Sequence, residues 1–217
     1  MTSAADIRRD RPNTRLWIVL SFAIAITIAV AILIKDGTRS DGTIAALRAT
    51  ARFSFLLFWG AYAGGLFRKV PLELLQRLAR RRREFGLSFA AAHSVHLVLI
   101  LWLFHVSRDP PVPLKTIIVD GIGFGWMYLL VIFSFGFARR RLSPPLWRGL
   151  FNIGLEYIAF VFATDFILLH LRDGQDFSLV YWPFILMLVG TALLRWTTGA
   201  WSFLTRAWDA RHSPGAA

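Results

Sequence analysis

Six apolar stretches, separated by short polar segments, dominate the chain. A helix needs about 20 apolar residues to cross the ~30 Å hydrocarbon core of a bilayer, and each stretch is close to that length. The pattern therefore predicts an all-α integral membrane protein, folded as a six-transmembrane-helix bundle. The predicted spans are 16–34, 46–67, 86–106, 116–137, 149–170 and 180–203.

The first stretch follows four arginines, so a cleaved signal peptide is an alternative to a retained helix. Its apolar run is longer than a usual signal core, and no small-residue cleavage site precedes "KDG" at 35–37, which favours a retained helix. Seventeen of the 25 Lys and Arg residues flank one side of the spans and six flank the other. Because cytoplasmic loops are rich in Lys and Arg, both termini are predicted to be cytoplasmic, in a multi-pass protein of the cell inner membrane. The predicted organisation is a cytoplasmic tail at 1–15, a transmembrane domain at 16–206 and a second tail at 207–217.

Composition agrees with a membrane protein: 56% of residues are hydrophobic and 18% are charged, against about 25% charged in a soluble domain. The net charge of +12 raises the possibility of nucleic acid. However, the basic residues are spread over several short segments that flank the spans, so membrane lipids are the predicted partner and nucleic acid is not. The chain has no Cys, which excludes disulfides, thiolate-ligated metal and a Cys nucleophile.

The basic segment 68–85, "RKVPLELLQRLARRRREF", has Leu72, Leu75 and Leu78 at helical spacing. It is either a solvated loop or a short amphipathic helix that lies on anionic headgroups. No Gly-rich phosphate loop stands outside the spans. Any flavin or nucleotide chemistry is therefore expected from a redox partner protein, and the chain itself would be at most the membrane component of an oxidoreductase.

Several ionisable side chains fall within or at the ends of the predicted spans. Such residues are expensive in lipid and usually face the interior of the bundle. They are Arg52, His93, His96, His105, Asp120, Glu156, Asp165, His170 and Arg195. Glu156 and Arg195 lie at similar depth on different helices, so we predict that they form a buried ion pair.

His96 lies ten residues after Gly86, about 15 Å into the third span and near the midplane. His93 is three residues earlier, so both rings share one face of the helix. A neutral imidazole at this depth is either an axial haem ligand or a side chain that hydrogen-bonds to a neighbouring helix.

Two histidines and two aspartates, His105, His170, Asp120 and Asp165, lie near the outer ends of three spans. They form either an interfacial polar rim, which we favour because none lies far from water, or a metal or proton site. The second alternative corresponds to a transporter-like function.

The motif "RRREFGLSFAAAHSVH" resembles the third-helix motif of the ferric reductase-like transmembrane domain family. In that motif an arginine pair precedes a glycine, and a haem-ligating histidine follows ten residues later, which here is His96. "TARFSFLLFWGAYAGGLF" at 50–67 is similar to the preceding helix of the family, and "RRRLSPPLWRGL" at 139–150 to the loop before its haem-bearing fifth helix. The resemblance covers about 46–170 and is nearest to the short bacterial members of the family.

The resemblance implies a haem b between the third and fifth helices and transmembrane electron transfer. His96 would be one axial ligand of the haem iron, and Arg52 would pair with a haem propionate. The other histidines near the cofactor would be His93, His105 and His170. The family also places two histidines on the fifth helix, where this chain has Phe151 and Thr164. The alternative is therefore a haem-free membrane scaffold or interaction subunit that kept the fold and lost these ligands.

Overall fold

The computed structural model describes residues 13–68, 70–107, 111–135, 141–168 and 180–212. In this part of the chain there are helices and no strands, which confirms the all-α class. The helices are α1 (Thr14–Asp36), α2 (Ser40–Phe67), α3 (Glu73–Arg80), α4 (Arg82–Val106), α5 (Leu114–Ser134), α6 (Pro144–Ala163), which continues as a π-helical turn (Thr164–Leu168), and α7 (Trp182–His212).

Four of these helices are long and apolar enough to cross a membrane. They are Thr14–Asp36, Arg82–Val106, Leu114–Ser134 and Pro144–Ile167, which correspond to the first, third, fourth and fifth predicted spans. The second and sixth predicted spans are also helical, as α2 and α7, but their more polar sequences do not meet the same criterion. Helix α7 continues to His212, nine residues beyond the predicted end of the sixth span.

The two ends of the bundle differ in charge. We call the end where α4 begins the basic end, because arginines occupy positions 80–83 there, and the end where α4 finishes the opposite end. At the basic end, Thr14 Oγ1 donates a hydrogen bond to Glu84 Oε1 over 3.4 Å, and Arg83 Nη2 donates to the carbonyl of Ser134 over 3.3 Å. At the opposite end, Trp102 Nε1 donates to the carbonyl of Thr38 over 3.0 Å.

Helix α2 lies at the centre, packed against α1, α4 and α7. Its side chains Phe55, Phe58 and Tyr62 are fully buried, and they form an aromatic core with rings from α4 and α6. Phe162 of α6 lies 5.3 Å from Phe58 and 6.0 Å from Phe89, measured between ring centroids. The polar character of α2 is tolerated because few of its side chains face lipid.

Helices α5 and α6 pack closely through two glycines. A Cβ atom on Gly123 would lie 3.1 Å from Val161, and one on Gly154 would lie 2.9 Å from the Trp126 ring. The neighbouring Gly121 and Gly125 have open space around them, so only the middle glycine of "GIGFG" permits the close approach that small residues allow in membrane bundles.

The predicted ion pair between Glu156 and Arg195 is confirmed. Arg195 Nη2 lies 2.9 Å from Glu156 Oε1, and the Tyr62 hydroxyl donates to Glu156 Oε2 over 2.7 Å. Arg195 also donates to the carbonyl of Tyr62 over 3.1 Å and stacks on its ring. Trp196 Nε1 adds a third donor to Glu156 at 3.3 Å. This network joins α7 to α2 and α6.

The segment after α2 forms a short amphipathic helix, α3, rather than a loop. Ala79 is buried, whereas Leu74 on the outer face is 70% exposed. Arg77 and Arg80 are also exposed. The helix thus presents arginines and an apolar side chain together at the basic end, as an interfacial helix does.

Candidate functional site

His93 and His96 form a stacked pair on α4. Their ring centroids are 4.8 Å apart and their planes differ by 7°. Spacing of three residues on a helix brings side chains onto one face, as the sequence predicts. His96 lies ten residues before Val106, the end of α4, and is therefore about 15 Å deep at ~1.5 Å per residue.

Thr50 of α2 is hydrogen-bonded to the His96 ring. Thr50 Oγ1 lies 3.0 Å from His96 Nδ1 and 2.9 Å from the carbonyl oxygen of Ala46. The Leu47 carbonyl is also a hydrogen-bond partner of the His96 ring. If Thr50 donates to Ala46, its oxygen accepts from His96, and the ring then carries its proton on Nδ1 and has an unprotonated Nε2.

His93 lies among aromatic rings. Phe124 of α5 stacks on it at 4.9 Å and Phe89 of α4 lies at 5.1 Å, measured between ring centroids. Its Nδ1 is buried and finds no hydrogen-bond partner among the residues that the structure describes. An unsatisfied buried nitrogen of this kind indicates a water molecule or a ligand next to it.

A small cavity of about 40 Å³ lies beside the two histidines, between α4, α5 and α6. At ~15 Å³ for each water it has room for about two or three water molecules. Four protonatable side chains line it, His93 and His96 from α4, Asp120 from α5 and Asp165 from α6. The rest of the lining is mainly apolar and includes Ala51 of α2.

Helical spacing explains how each element contributes to this cavity. On α5 the lining residues are Asp120, Gly123, Phe124 and Met127, and on α6 they are Ile158, Val161, Phe162 and Asp165. Both sets follow the three- and four-residue spacing of one helix face. Asp165 lies in the π-helical turn that continues α6, a local feature that is frequent at functional sites.

The other predicted site residues lie elsewhere. His105 is exposed and packs on Trp102, with 5.5 Å between ring centroids. Its exposure near the end of α4 is compatible with the predicted rim, but it does not line the cavity with Asp120 and Asp165, as the transporter-like hypothesis requires, and it does not face the slot beside His96. Arg52 places its guanidinium 4.5 Å from the Tyr181 ring centroid. His170 lies outside the described residues.

The residues around His96 do not fit a haem as they are packed. Pockets for cofactor-sized ligands measure about 300–1,000 Å³, and the cavity here is about 40 Å³. The space between α4 and α6 is filled by Phe89 and Phe162. Phe151 and Thr164, at the two positions where the family has histidine, supply no nitrogen ligand. One observation does suit a metal ligand, the hydrogen bond at His96 Nδ1, because metal-binding imidazoles commonly have their other nitrogen fixed by a hydrogen bond.

A bare metal site is not formed either. Within the described ranges, no three His, Asp or Glu side chains come close enough together to hold a metal ion.

Comparison with known proteins adds no relative to this picture. No family model, curated protein or solved structure matches the chain. The resemblance to ferric reductase-like domains stays a prediction from the quoted motifs.

Sequence reasoning missed two parts of the site. It assigned Asp120 and Asp165 to a rim with His105, whereas they line one cavity with His93 and His96. It also matched Thr50 to a family motif without recognising it as the hydrogen-bond partner of His96. Spacing along α5, where Asp120 precedes the packing glycine Gly123 by three residues, was the available signal that Asp120 faces α6.

Proposed function

We propose that this protein moves protons at the pocket formed by His93, His96, Asp120 and Asp165. The observation that carries the proposal is that these four protonatable side chains, from three helices, surround one water-sized cavity inside the bundle. Ionisable residues in membrane helices commonly form proton relays, and neutral imidazole can accept a proton on one nitrogen while it donates from the other.

The chemistry follows from the arrangement. Asp120 is six residues after Leu114, about 9 Å from the opposite end, whereas His96 and His93 are about 15 and 20 Å deep. Two carboxylates that face one small cavity repel each other when both are ionised, and a bound proton relieves that repulsion. A proton that reaches Asp120 or Asp165 can pass through a cavity water to Nε2 of His96, the nitrogen that Thr50 leaves free.

An aromatic layer separates this pocket from the basic end. Phe58, Phe89 and Phe162 contact one another at ring-centroid distances of 5.3–6.0 Å. On the other side of the layer, Tyr62 stacks on Phe58 and donates to Glu156. Proton transfer across the membrane therefore requires these rings to move. The layer acts as the barrier between the His–Asp pocket, which opens toward the opposite end, and the Glu156 network, which lies toward the basic end.

The test is proton uptake by proteoliposomes that contain a pH-sensitive dye and carry an imposed potassium diffusion potential. Wild-type vesicles should acidify faster than protein-free vesicles, and Asp165→Asn should remove the excess. Asp41→Asn, in the first turn of α2 and exposed, is the matched control and should behave as wild type. Wild-type uptake at the protein-free rate, or undiminished uptake by Asp165→Asn, would overturn the proposal.

Haem-linked electron transfer, the function implied by the resemblance, is the second candidate. It is supported by the hydrogen bond that Thr50 makes at His96 Nδ1 and opposed by the small cavity and the missing ligands. A pyridine haemochrome assay on protein expressed with excess haem decides it. Stoichiometric haem that is lost in His96→Ala and kept in His105→Ala would establish this function, whereas no haem would exclude it. Absence of both haem and proton uptake would leave the scaffold role.

The proposal includes six spans with both termini in the cytoplasm of a multi-pass inner-membrane protein. Helix α2 has 28 residues, about 42 Å at ~1.5 Å per residue, and it lies beside two apolar helices, α1 and α4, over its length. Because α2 is enclosed by helices that can span a membrane, it is expected to cross with them. Helix α7, with 31 residues, is long enough to do the same.

The absence of native cysteine gives a direct test of this topology. Thr38, between α1 and α2, and Ser143, just before α6, are both exposed. In spheroplasts, a membrane-impermeant maleimide should label the Thr38→Cys variant, and should label Ser143→Cys only after permeabilisation. Labelling of both from one side, or the reverse pattern, would contradict the proposed orientation.

A further inference from the structure

Arg82, the first residue of α4, is fixed between helices at the basic end. Its Nε donates to the carbonyl of Ala61 over 2.7 Å, and its guanidinium carbon lies 5.4 Å from the centroid of the Phe151 ring. Gly64 makes room for the side chain, since a Cβ there would lie 3.2 Å from Arg82 Cγ. The guanidinium is therefore positioned by α2 on one side and by α6 on the other.

This guanidinium lacks an anionic partner in the described part of the chain. Its Nη2 is buried and makes no hydrogen bond, although guanidinium nitrogens are costly to leave unpaired away from water. The charges that act on it are those of Arg195 and Arg68, both positive. Glu156 is already engaged by Arg195, Tyr62 and Trp196. An anion from outside the chain would complete the site.

The surroundings indicate what kind of anion this is. Arg68 is exposed at the end of α2, and α3 follows it with Leu72 and Leu74, which are 58% and 70% exposed. Exposed leucines beside arginines at a helix end suit the boundary of a bilayer, where acyl chains and phosphates meet. A free phosphate would use the arginines and leave the leucines in water.

We infer that the basic end binds an anionic phospholipid, with the lipid phosphate on Arg82 and Arg68 and the glycerol backbone and acyl chains against α3. A guanidinium presents paired N–H donors that match phosphate oxygens, so Arg82 supplies direction and Arg68 supplies charge. The site is separate from the His–Asp pocket, which lies on the other side of the aromatic layer, and it does not depend on proton movement.

The test is lipid binding to the full-length protein in neutral detergent, measured as the shift of its thermal unfolding midpoint. Phosphatidylglycerol should raise the midpoint, whereas phosphatidylcholine and inorganic phosphate should raise it little. Arg82→Gln should weaken the apparent affinity for phosphatidylglycerol by about tenfold or more, the expected effect of losing a hydrogen bond to a charged group. Arg141→Gln, exposed at the same end, is the matched control and should keep wild-type affinity.

A second variant keeps the test decisive if Arg82→Gln folds poorly. Arg68→Gln alters an exposed side chain and should weaken phosphatidylglycerol binding while leaving the lipid-free midpoint unchanged. Inorganic phosphate that stabilises as well as the lipid would overturn the lipid assignment. Phosphatidylglycerol binding unaffected by both substitutions would overturn the site itself.

Discussion

The stabilisation that the Glu156–Arg195 ion pair gives to the bundle can be measured with a double-mutant cycle. We consider the substitutions Glu156→Gln and Arg195→Met, singly and together. Each single change leaves one charge without its partner inside the bundle, and breaking a buried pair in this way costs about 3–5 kcal/mol. The Glu156 side chain is 32% exposed and that of Arg195 15%, so solvent screening lowers the expected cost to about 2–3 kcal/mol for each single variant.

The double variant removes both charges, so neither is left uncompensated. We expect it to be no less stable than the more damaging single variant, which corresponds to a coupling energy of about 2 kcal/mol. The chain also contains a matched control. Glu73 and Arg77 on α3 pair over 3.4 Å, with side chains 87% and 68% exposed, and an exposed pair at this spacing is worth only about 0.3–0.5 kcal/mol.

The assay is reversible unfolding of the purified protein in mixed detergent micelles, followed by the helical circular dichroism signal. Four variants define the cycle for each pair, and the double variant of the control pair is Glu73→Gln with Arg77→Met. The reasoning is refuted if the coupling between Glu156 and Arg195 is no larger than that between Glu73 and Arg77. Additive single effects at the first pair would show that its two charges are stabilised independently.

Three further predictions concern the pocket and the contacts around it. Thr50→Val keeps the shape of the side chain but removes the hydroxyl bonded to His96 Nδ1. The ¹⁵N NMR signals of the imidazole should therefore shift and stability should fall by about 1–3 kcal/mol, and unchanged signals would contradict this contact. Gly154→Ala forces a contact against Trp126 and should lower the free energy of unfolding by about 1–3 kcal/mol. The control is Gly149→Ala, which has open space around it and should be neutral or stabilising in the same unfolding assay. Phe162→Ala should cost about 3–5 kcal/mol and raise proton uptake by proteoliposomes, and uptake no faster than wild type would argue against the aromatic barrier.

The sequence predicts how deep a polar side chain lies along its helix. It predicts which way that side chain points around the helix axis only where residue spacing defines a face. The pairing of Glu156 with Arg195 followed from equal depth, and the stacking of His93 on His96 followed from a spacing of three. Asp120 was placed at the correct height but assigned to an exposed rim, because depth does not tell which neighbour a side chain faces. That information comes from the packing of α5 on α6 at Gly123, which involves residues 38 positions apart, and its only local signal is the three-residue spacing between Asp120 and Gly123.

The central position of α2 was also beyond sequence reasoning. Its predicted start at 46 is six residues later than Ser40, because charged and small polar residues at 40–45 lower the apolar signal there. These residues are accommodated because α1 and α4 cover the helix and because Thr43 and Thr50 donate to carbonyls of their own helix. Burial against other helices thus explains why the second predicted span resembles a soluble helix in composition.

The π-helical turn at Thr164–Leu168 makes the site sensitive to chain length. Such a turn accommodates one more residue than an α-helical turn does, so deletion of Thr164 would let α6 continue with regular hydrogen bonding. Side chains beyond the turn would keep their angular positions, because the wider turn had absorbed the extra residue, whereas Asp165, which lies inside the turn, would change its direction relative to the cavity. A one-residue deletion at this point is therefore expected to displace the acid although no functional residue is replaced, whereas the same deletion in the loop before α6 would leave the pocket intact.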